Sequence, residues 1–233
     1  MPGLFVTGTD TGVGKTTVAA ALLRAARARG LDVGAMKPAE SGCARGADGA
    51  LVPADALRLL RAAGGDDPLD RVCPFRLEAP LAPGIAAARE GVEVSLDAIE
   101  AAHRALAARH RHGVVVEGAG GLLVPLDAGF ATVADLAVRL ALPLLVVARP
   151  TLGTINHTAL TVEAAAARGL ACRGVILNAA DAAAEEAATE NARAIERLTG
   201  VPVLACLPHA PGDDGEVRLA VRLASIDLEQ LLA

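Results

Sequence analysis

The chain reads as an α/β protein, a single domain built on a doubly wound, mostly parallel sheet. Three observations predict it. Strand-like and helix-like stretches alternate from end to end with no internal repeat. The strand-like stretches Leu4–Thr7, Val114–Val116 and Leu144–Ala148 are almost wholly apolar, as strands buried on both faces are. The first of them runs through a glycine-rich turn directly into a helix. At 233 residues one large core is expected, so the domain is taken to span residues 1–233.

Leu4–Thr7 is the first strand and Val18–Ala26, mostly alanine and leucine, the first helix. Between them lies Gly8-Thr9-Asp10-Thr11-Gly12-Val13-Gly14-Lys15-Thr16-Thr17. Its glycines let backbone N–H groups turn inward on a phosphate, and the helix N-terminus adds partial positive charge. Lys15 is placed to reach the β- and γ-phosphates, and the Thr16 hydroxyl to bind Mg²⁺. The spacing is a variant: the usual four intervening residues, counted back from Gly14, end on Thr9, and Gly8 stands one place further out. A bare glycine turn with a solvated Lys15 would need no Gly14-Lys15-Thr16-Thr17 in this setting. The stretch is read as a P-loop, the fold as P-loop NTPase-like, and the ligand as a nucleoside triphosphate.

Arg29-Gly30 stops the first helix, and Val33–Pro38 reads as a second strand. Pro38 ends it and leaves Lys37 at its carboxyl end, beside the P-loop if the sheet is parallel. Ala39–Gly42 is a loop, residues 44–49 are polar and glycine-rich, and Pro53 opens a helix with Asp55 in its first turn. Asp55 either complements the helix dipole or offers a hard oxygen to Mg²⁺. Pro68–Pro83 is expected to be an extended loop over the sheet edge. Leu96–Arg111 is a helix capped by Ser95, with His110 and His112 on a solvated end.

Val114–Glu117 is a buried strand that delivers a carboxylate at its end, followed by a glycine turn over Gly118-Ala119-Gly120-Gly121. An acid so placed belongs near the Mg²⁺ of a P-loop site, and the glycines let backbone approach a phosphate. Thr132–Leu140 is a helix and Leu144–Ala148 a strand. Arg149 then leads through Gly153-Thr154-Ile155-Asn156 into a helix running to about Arg168, whose first N–H groups suit a carboxylate or phosphate. Val175–Asn178 is a strand ending in an amide, Glu185–Leu198 a helix, Val201–Leu204 the last strand and Val217–Leu232 the closing helix.

Composition narrows the partners. The chain is 53% apolar, yet no apolar run crosses a bilayer's thickness without charge or proline. A net charge of −5 disfavours both nucleic acid and anionic membranes. Three Phe, with no Trp or Tyr, leave no aromatic platform for bases. The opening residues lack the basic segment of a secretory signal. Cys43, Cys73, Cys172 and Cys206 lie far apart, as free thiols in a reducing compartment do, so a cytoplasmic location is expected.

These landmarks resemble the dethiobiotin synthetase family, the ATP-dependent enzymes of biotin synthesis. The matching set is Gly8-Thr9-Asp10-Thr11-x-Val13-Gly14-Lys15-Thr16, Lys37-Pro38, Ser41-Gly42, Asp55-Ala56, Glu78-x-Pro80-x-x-Pro83, Glu117-Gly118-Ala119-Gly120-Gly121 and Leu152-Gly153-x-Ile155-Asn156-His157. It covers nearly the whole chain. The resemblance implies ring closure on 7,8-diaminononanoate with CO₂ and ATP·Mg²⁺. Carried over by position, Thr16, Asp55 and Glu117 would hold Mg²⁺. Lys15 and Lys37, with Thr11, would serve catalysis. ATP would lie along Gly12, Val13, Gly14, Lys15, Thr16 and Thr17, with Asp55 and the segment Glu117, Gly118, Ala119 and Gly120. Asn178, Pro208 and His209 would face the base. Thr11, Lys37 and Ser41 would contact the diamine, and Gly153, Thr154 and Asn156 its carboxylate across a homodimer interface.

A different class competes: a ParA/MinD-like switch ATPase. Such proteins carry a lysine early in the loop, where Asp10 stands here. They often end in a basic amphipathic helix, where this chain has Ile226-Asp227-Leu228-Glu229-Gln230. A cobyrinate amidase type would need a glutaminase domain that 233 residues do not hold.

Overall fold

The computed structural model describes residues 2–179, 181, 184, 188–210 and 214–233. In chain order these residues form β1 (Gly3–Gly8), α1 (Lys15–Ala28), β2 (Gly34–Met36), β3 (Ala39–Glu40), β4 (Ala44–Arg45), β5 (Leu51–Val52), α2 (Ala54–Ala63), α3 (Leu69–Val72), β6 (Phe75–Arg76), α4 (Pro83–Glu90) and α5 (Leu96–Ala107). Then follow β7 (Val114–Gly121), α6 (Val133–Leu140), β8 (Leu144–Ala148), α7 (Thr154–Ala166), β9 (Cys172–Asn178), α8 (Ala188–Thr199), β10 (Val203–Leu207), α9 (Gly215–Leu223) and α10 (Leu228–Leu232).

Six strands make one sheet in the order β10-β9-β8-β1-β7-β2, and every pairing in it is parallel. From β1 the chain crosses to the edge strand β2, returns to β7 beside β1, and then winds outward through β8, β9 and β10 on the other side. The crevice above the carboxyl end of β1 is therefore the place where ligands bind in such sheets. Period-two alternation sorts the side chains. Leu4 and Val6 of β1 join the apolar layer of α1, α2, α9 and α10, whereas Phe5 joins the opposite layer with α3 to α6. The doubly wound expectation is met.

Local geometry differs from the sequence reading in several places. β7 does not end at Glu117: it continues through Gly121, with a bulge in its ladder to β1 between Val6 and Gly8, so the expected glycine turn is strand. Residues 68–83 are not one extended loop, since they hold α3 and β6, and β6 pairs with β3. The closing helix breaks into α9 and α10, where Asp227 caps α10 by accepting from Gln230 N. The helix expected from Glu185 begins outside the described residues, which show it from Ala188.

The end of α5 differs as well. His110 is not solvated but set between two carboxylates, with Nδ1 2.8 Å from Asp32 Oδ1 and Nε2 2.8 Å from Asp67 Oδ2. Arg109 Nε donates to Asp67 Oδ1 at 2.8 Å, and Arg111 N to Asp32 Oδ2 at 3.1 Å. The helix stops at Ala107 so that residues 108–113 can make this cluster at the amino ends of β2 and β7.

Candidate active site

The site lies at the carboxyl ends of β1, β2 and β7. Residues 9–14 carry β1 into α1, with Gly12 (φ 73°) and Gly14 (φ 92°) in the left-handed region that side chains avoid. At Gly14 a Cβ would also collide with the Asn178 amide, because Asn178, at the end of β9, donates from Nδ2 to Val13 O at 3.1 Å. The loop and the β9 terminus thus pack as one unit. Asp10 Oδ1 accepts from Thr11 N at 2.6 Å, and Lys15 Nζ donates to Asp10 O at 3.0 Å.

Four residues that lie far apart in sequence meet beside this loop. Lys37 Nζ stands 2.5 Å from Glu117 Oε1 and 3.5 Å from Asp55 Oδ2, and Thr16 Oγ1 donates to the same Glu117 Oε1 at 2.9 Å. Lys37 and Glu117 are buried, whereas the Asp55 side chain is 44% exposed. Burial alone would lower the Lys37 pKa, but the carboxylates of Glu117 and Asp55 more than reverse it, so it lies above the ordinary lysine range. Lys15 goes the other way. Burial, then the charge of Lys37, lowers it to about 8 against the opposing pull of Glu117, Asp55 and Asp10. Glu117 Oε2 is buried with no partner among the described residues. An open carboxylate oxygen beside the Thr16 hydroxyl and the half-exposed Asp55 is a donor set of hard oxygens that suits Mg²⁺. Among the described residues no group of three or more His, Cys, Asp or Glu is placed to hold a metal ion, so ligands beyond these would come from phosphate and water.

Glu40 was not singled out from the sequence. It is buried, and its two carboxylate oxygens accept from Asp55 N and Ala56 N, both at 2.9 Å. It thereby caps α2, whose own N-cap position is Pro53 and has no capping side chain. A helix start lacking Ser, Thr, Asp or Asn at its cap was the available signal. Burial raises Glu40 above the usual carboxylate range, and the two N–H donors oppose that rise.

The remaining candidates fall in three groups. Thr11 and Gly12 are exposed on the loop, Thr17 Oγ1 accepts from Arg58 Nη2 at 3.1 Å, and Gly118, Ala119 and Gly120 line β7 beyond Glu117. Ser41 is half-buried just beyond β3, and Pro208 and His209 follow β10, on the same side of the sheet as Asn178. Gly153 caps α7 in a left-handed conformation (φ 94°), and Asn156 is exposed. The Thr154 hydroxyl is buried with no partner among the described residues, and its N–H donates to Thr151 O at 3.0 Å. A cavity of about 420 Å³ lies between the loop and α7, walled by Thr9 to Thr11, by Leu122 to Val124 after β7, and by His157, Leu160 and Ala164 of α7. A larger cavity of about 790 Å³ opens near Arg173 and Pro202 at the opposite sheet edge, away from every candidate residue.

A family model described as AAA domain matches residues 2–216. The chain is 58% identical over 211 residues to the ATP-dependent dethiobiotin synthetase BioD of Anaeromyxobacter dehalogenans (strain 2CP-C), covering 91% of this chain and 92% of that one. It is 40% identical to the protein of the same name from Thermodesulfovibrio yellowstonii, over 99% and 98% of the two chains. Among solved structures, the MinC:MinD cell division protein complex of Aquifex aeolicus matches with TM-score 0.58 at 17% identity, over 100% of this chain and 93% of that one. The ParA family ATPase of Chlorobium tepidum gives 0.55 at 11%, over 99% and 96%. At such identities the last two speak for the fold alone. Identity at these levels over nearly the full length places the chain in the ATP-dependent dethiobiotin synthetase family.

Proposed function

We propose that this chain closes the cyclic urea of dethiobiotin on 7,8-diaminononanoate, using CO₂ and ATP with Mg²⁺, and that the residues gathered at the carboxyl ends of β1, β2 and β7 do the work. The observation that carries the residue assignment is the meeting of Lys37, Glu117, Asp55 and Thr16 beside the phosphate loop, with Glu117 Oε2 left open. One substrate amine takes up CO₂ and loses a proton to become a carbamate. The carbamate oxygen attacks the γ-phosphorus and ADP leaves. The second amine then attacks the carbamoyl carbon, phosphate departs, and the ring is closed.

The backbone N–H groups of Gly12 to Thr17 cradle the phosphates, and Lys15 offsets their charge. Lys37 sits where negative charge builds on the transferring group and on the carbamate, and Glu117 and Asp55 keep it protonated. Thr16, Glu117 and Asp55 would hold Mg²⁺, which would offset negative charge on the phosphates. Thr11 and Ser41 face the amine end. Asn178, Pro208 and His209 border the base, and the segment Glu117 to Gly120 borders the phosphates. The exposed start of α7, at Gly153 and Asn156, takes the substrate carboxylate from a partner subunit, which makes the working unit a homodimer.

The test is phosphate release with and without diamine and bicarbonate, with the product identified by mass spectrometry. Release should require both and match dethiobiotin formed. Rapid hydrolysis indifferent to the diamine would favour a switch ATPase instead.

A further inference from the structure

Arg149 directly follows β8 and has no part in the assignments above. Its guanidinium crosses to the phosphate loop, where Nη2 donates to Thr11 O at 3.1 Å. A Cβ on Gly12 would stand 2.9 Å from that same Nη2, so the arginine occupies the space that a side chain at position 12 would take. The segment that carries it is anchored in turn, because Pro150 O accepts from Asn191 Nδ2 at 3.0 Å.

Besides the Asn178 tie at Val13, the loop has these ties. Thr9 N donates to Val147 O at 3.0 Å, Thr11 N to Asp10 Oδ1 at 2.6 Å, and Lys15 Nζ to Asp10 O at 3.0 Å. An ammonium drawn to nucleotide phosphates leaves Asp10 O, so the Lys15 tie weakens when the loop must hold its shape. The Arg149 tie comes from outside the loop, to a carbonyl on its outer face, and is under no such demand. A guanidinium also holds a carbonyl with a planar, preorganised set of donors.

We propose that Arg149 is a positioning residue of the known reaction: it holds the outer face of the phosphate loop through the Thr11 carbonyl, across the gap left by Gly12, and so preforms the loop for the nucleotide. The proposal rests on residues 8–17 being the phosphate site. A preformed loop loses less conformational freedom on binding, so the effect falls on affinity.

The measurement is calorimetric binding of the β,γ-imido analogue of ATP, with Mg²⁺, to the full chain. Arg149→Met, which keeps bulk and removes the donors, should weaken binding about five- to tenfold, the net effect of one solvent-exposed hydrogen bond. The melting temperature without nucleotide should not move, and the KM for ATP should rise while kcat holds. Arg149→Lys, which retains a donor, should recover part of the affinity. Gly12→Ala strains the backbone in any background but displaces Arg149 only where Arg149 is present. Its cost should therefore be larger in the unaltered chain than in Arg149→Met. Wild-type affinity in Arg149→Met, or an equal cost of Gly12→Ala in both backgrounds, would overturn the proposal. Failure of the unaltered chain to bind the analogue would overturn the phosphate-site reading along with it.

Discussion

β2 and β7 run side by side, and each end of the pair carries a cluster of charged side chains. At the amino ends, all four carboxylate oxygens of Asp32 and Asp67 have partners: His110 bridges the two acids, and Arg109 and the Arg111 N–H take the rest. At the carboxyl ends, Lys37 and Thr16 meet Glu117 and Lys37 also reaches Asp55, yet Glu117 Oε2 has no partner among the described residues and Asp55 stays half in solvent. Both clusters hold the same two strands. The saturated one has nothing left to offer a ligand, so it serves as a staple. The unsaturated one keeps valence in hand at a cost in stability, which is the mark of a site.

Substitutions at the two ends should therefore fail in different ways. The largest effect is expected at Lys15→Ala, which removes a phosphate-facing cation and should lower turnover by about 10²- to 10³-fold or more while thermal stability holds. A folded, fully active variant would detach the loop from the chemistry. Next come Glu117→Gln and Asp55→Asn, each keeping shape and losing charge. Each should weaken Mg²⁺ about tenfold, and together by less than the product, because they share one ion. Additive losses in the Mg²⁺ titration would make Asp55 only a helix-dipole acid.

At the opposite end the expectation inverts. His110→Ala leaves the buried Asp67 short of a partner and should cost about 2 kcal/mol in denaturant unfolding, with kcat and KM unchanged. A loss of activity at unchanged stability would erase the distinction between the clusters. The smallest effect concerns pH. Free Lys15 is charged below about 8 and loses its proton above it, so the KM for ATP should rise as pH climbs through that value. Lys37, held above the ordinary lysine range, adds no second step nearby.

Much of the site was legible before any coordinates, because the phosphate loop is a local device: its strand, glycines, lysine and helix are contiguous in the chain. Lys37 and Glu117 were also readable, since an apolar strand that ends in one charge announces where that charge lies. What escaped reading depends on long-range meetings. Glu40 caps a helix that starts beyond a hairpin, Asp67 reaches His110 from the α2–α3 connection, and Arg149 meets Thr11 because β8 lies beside β1. The glycines after Glu117 misled for a different reason. Glycine permits a turn but does not require one, and here the stretch bulges, with Gly120 left-handed (φ 60°), before Gly121 pairs again with Gly8 of β1.

The Glu40 cap has a mechanical consequence. From Lys37 the chain runs three residues on to Glu40, whose carboxylate grips the first turn of α2, and Asp55 in that turn reaches back to Lys37. The path closes on itself, like a linkage with fixed bars, and residues 41–53 hang outside it. The hairpin of β4 and β5 in that excluded stretch is exposed or half-exposed and pairs only with itself in the sheets. Its length is thereby decoupled from the spacing of the ammonium and carboxylate, and residues could be added or removed at its tip without the reacting groups registering the change.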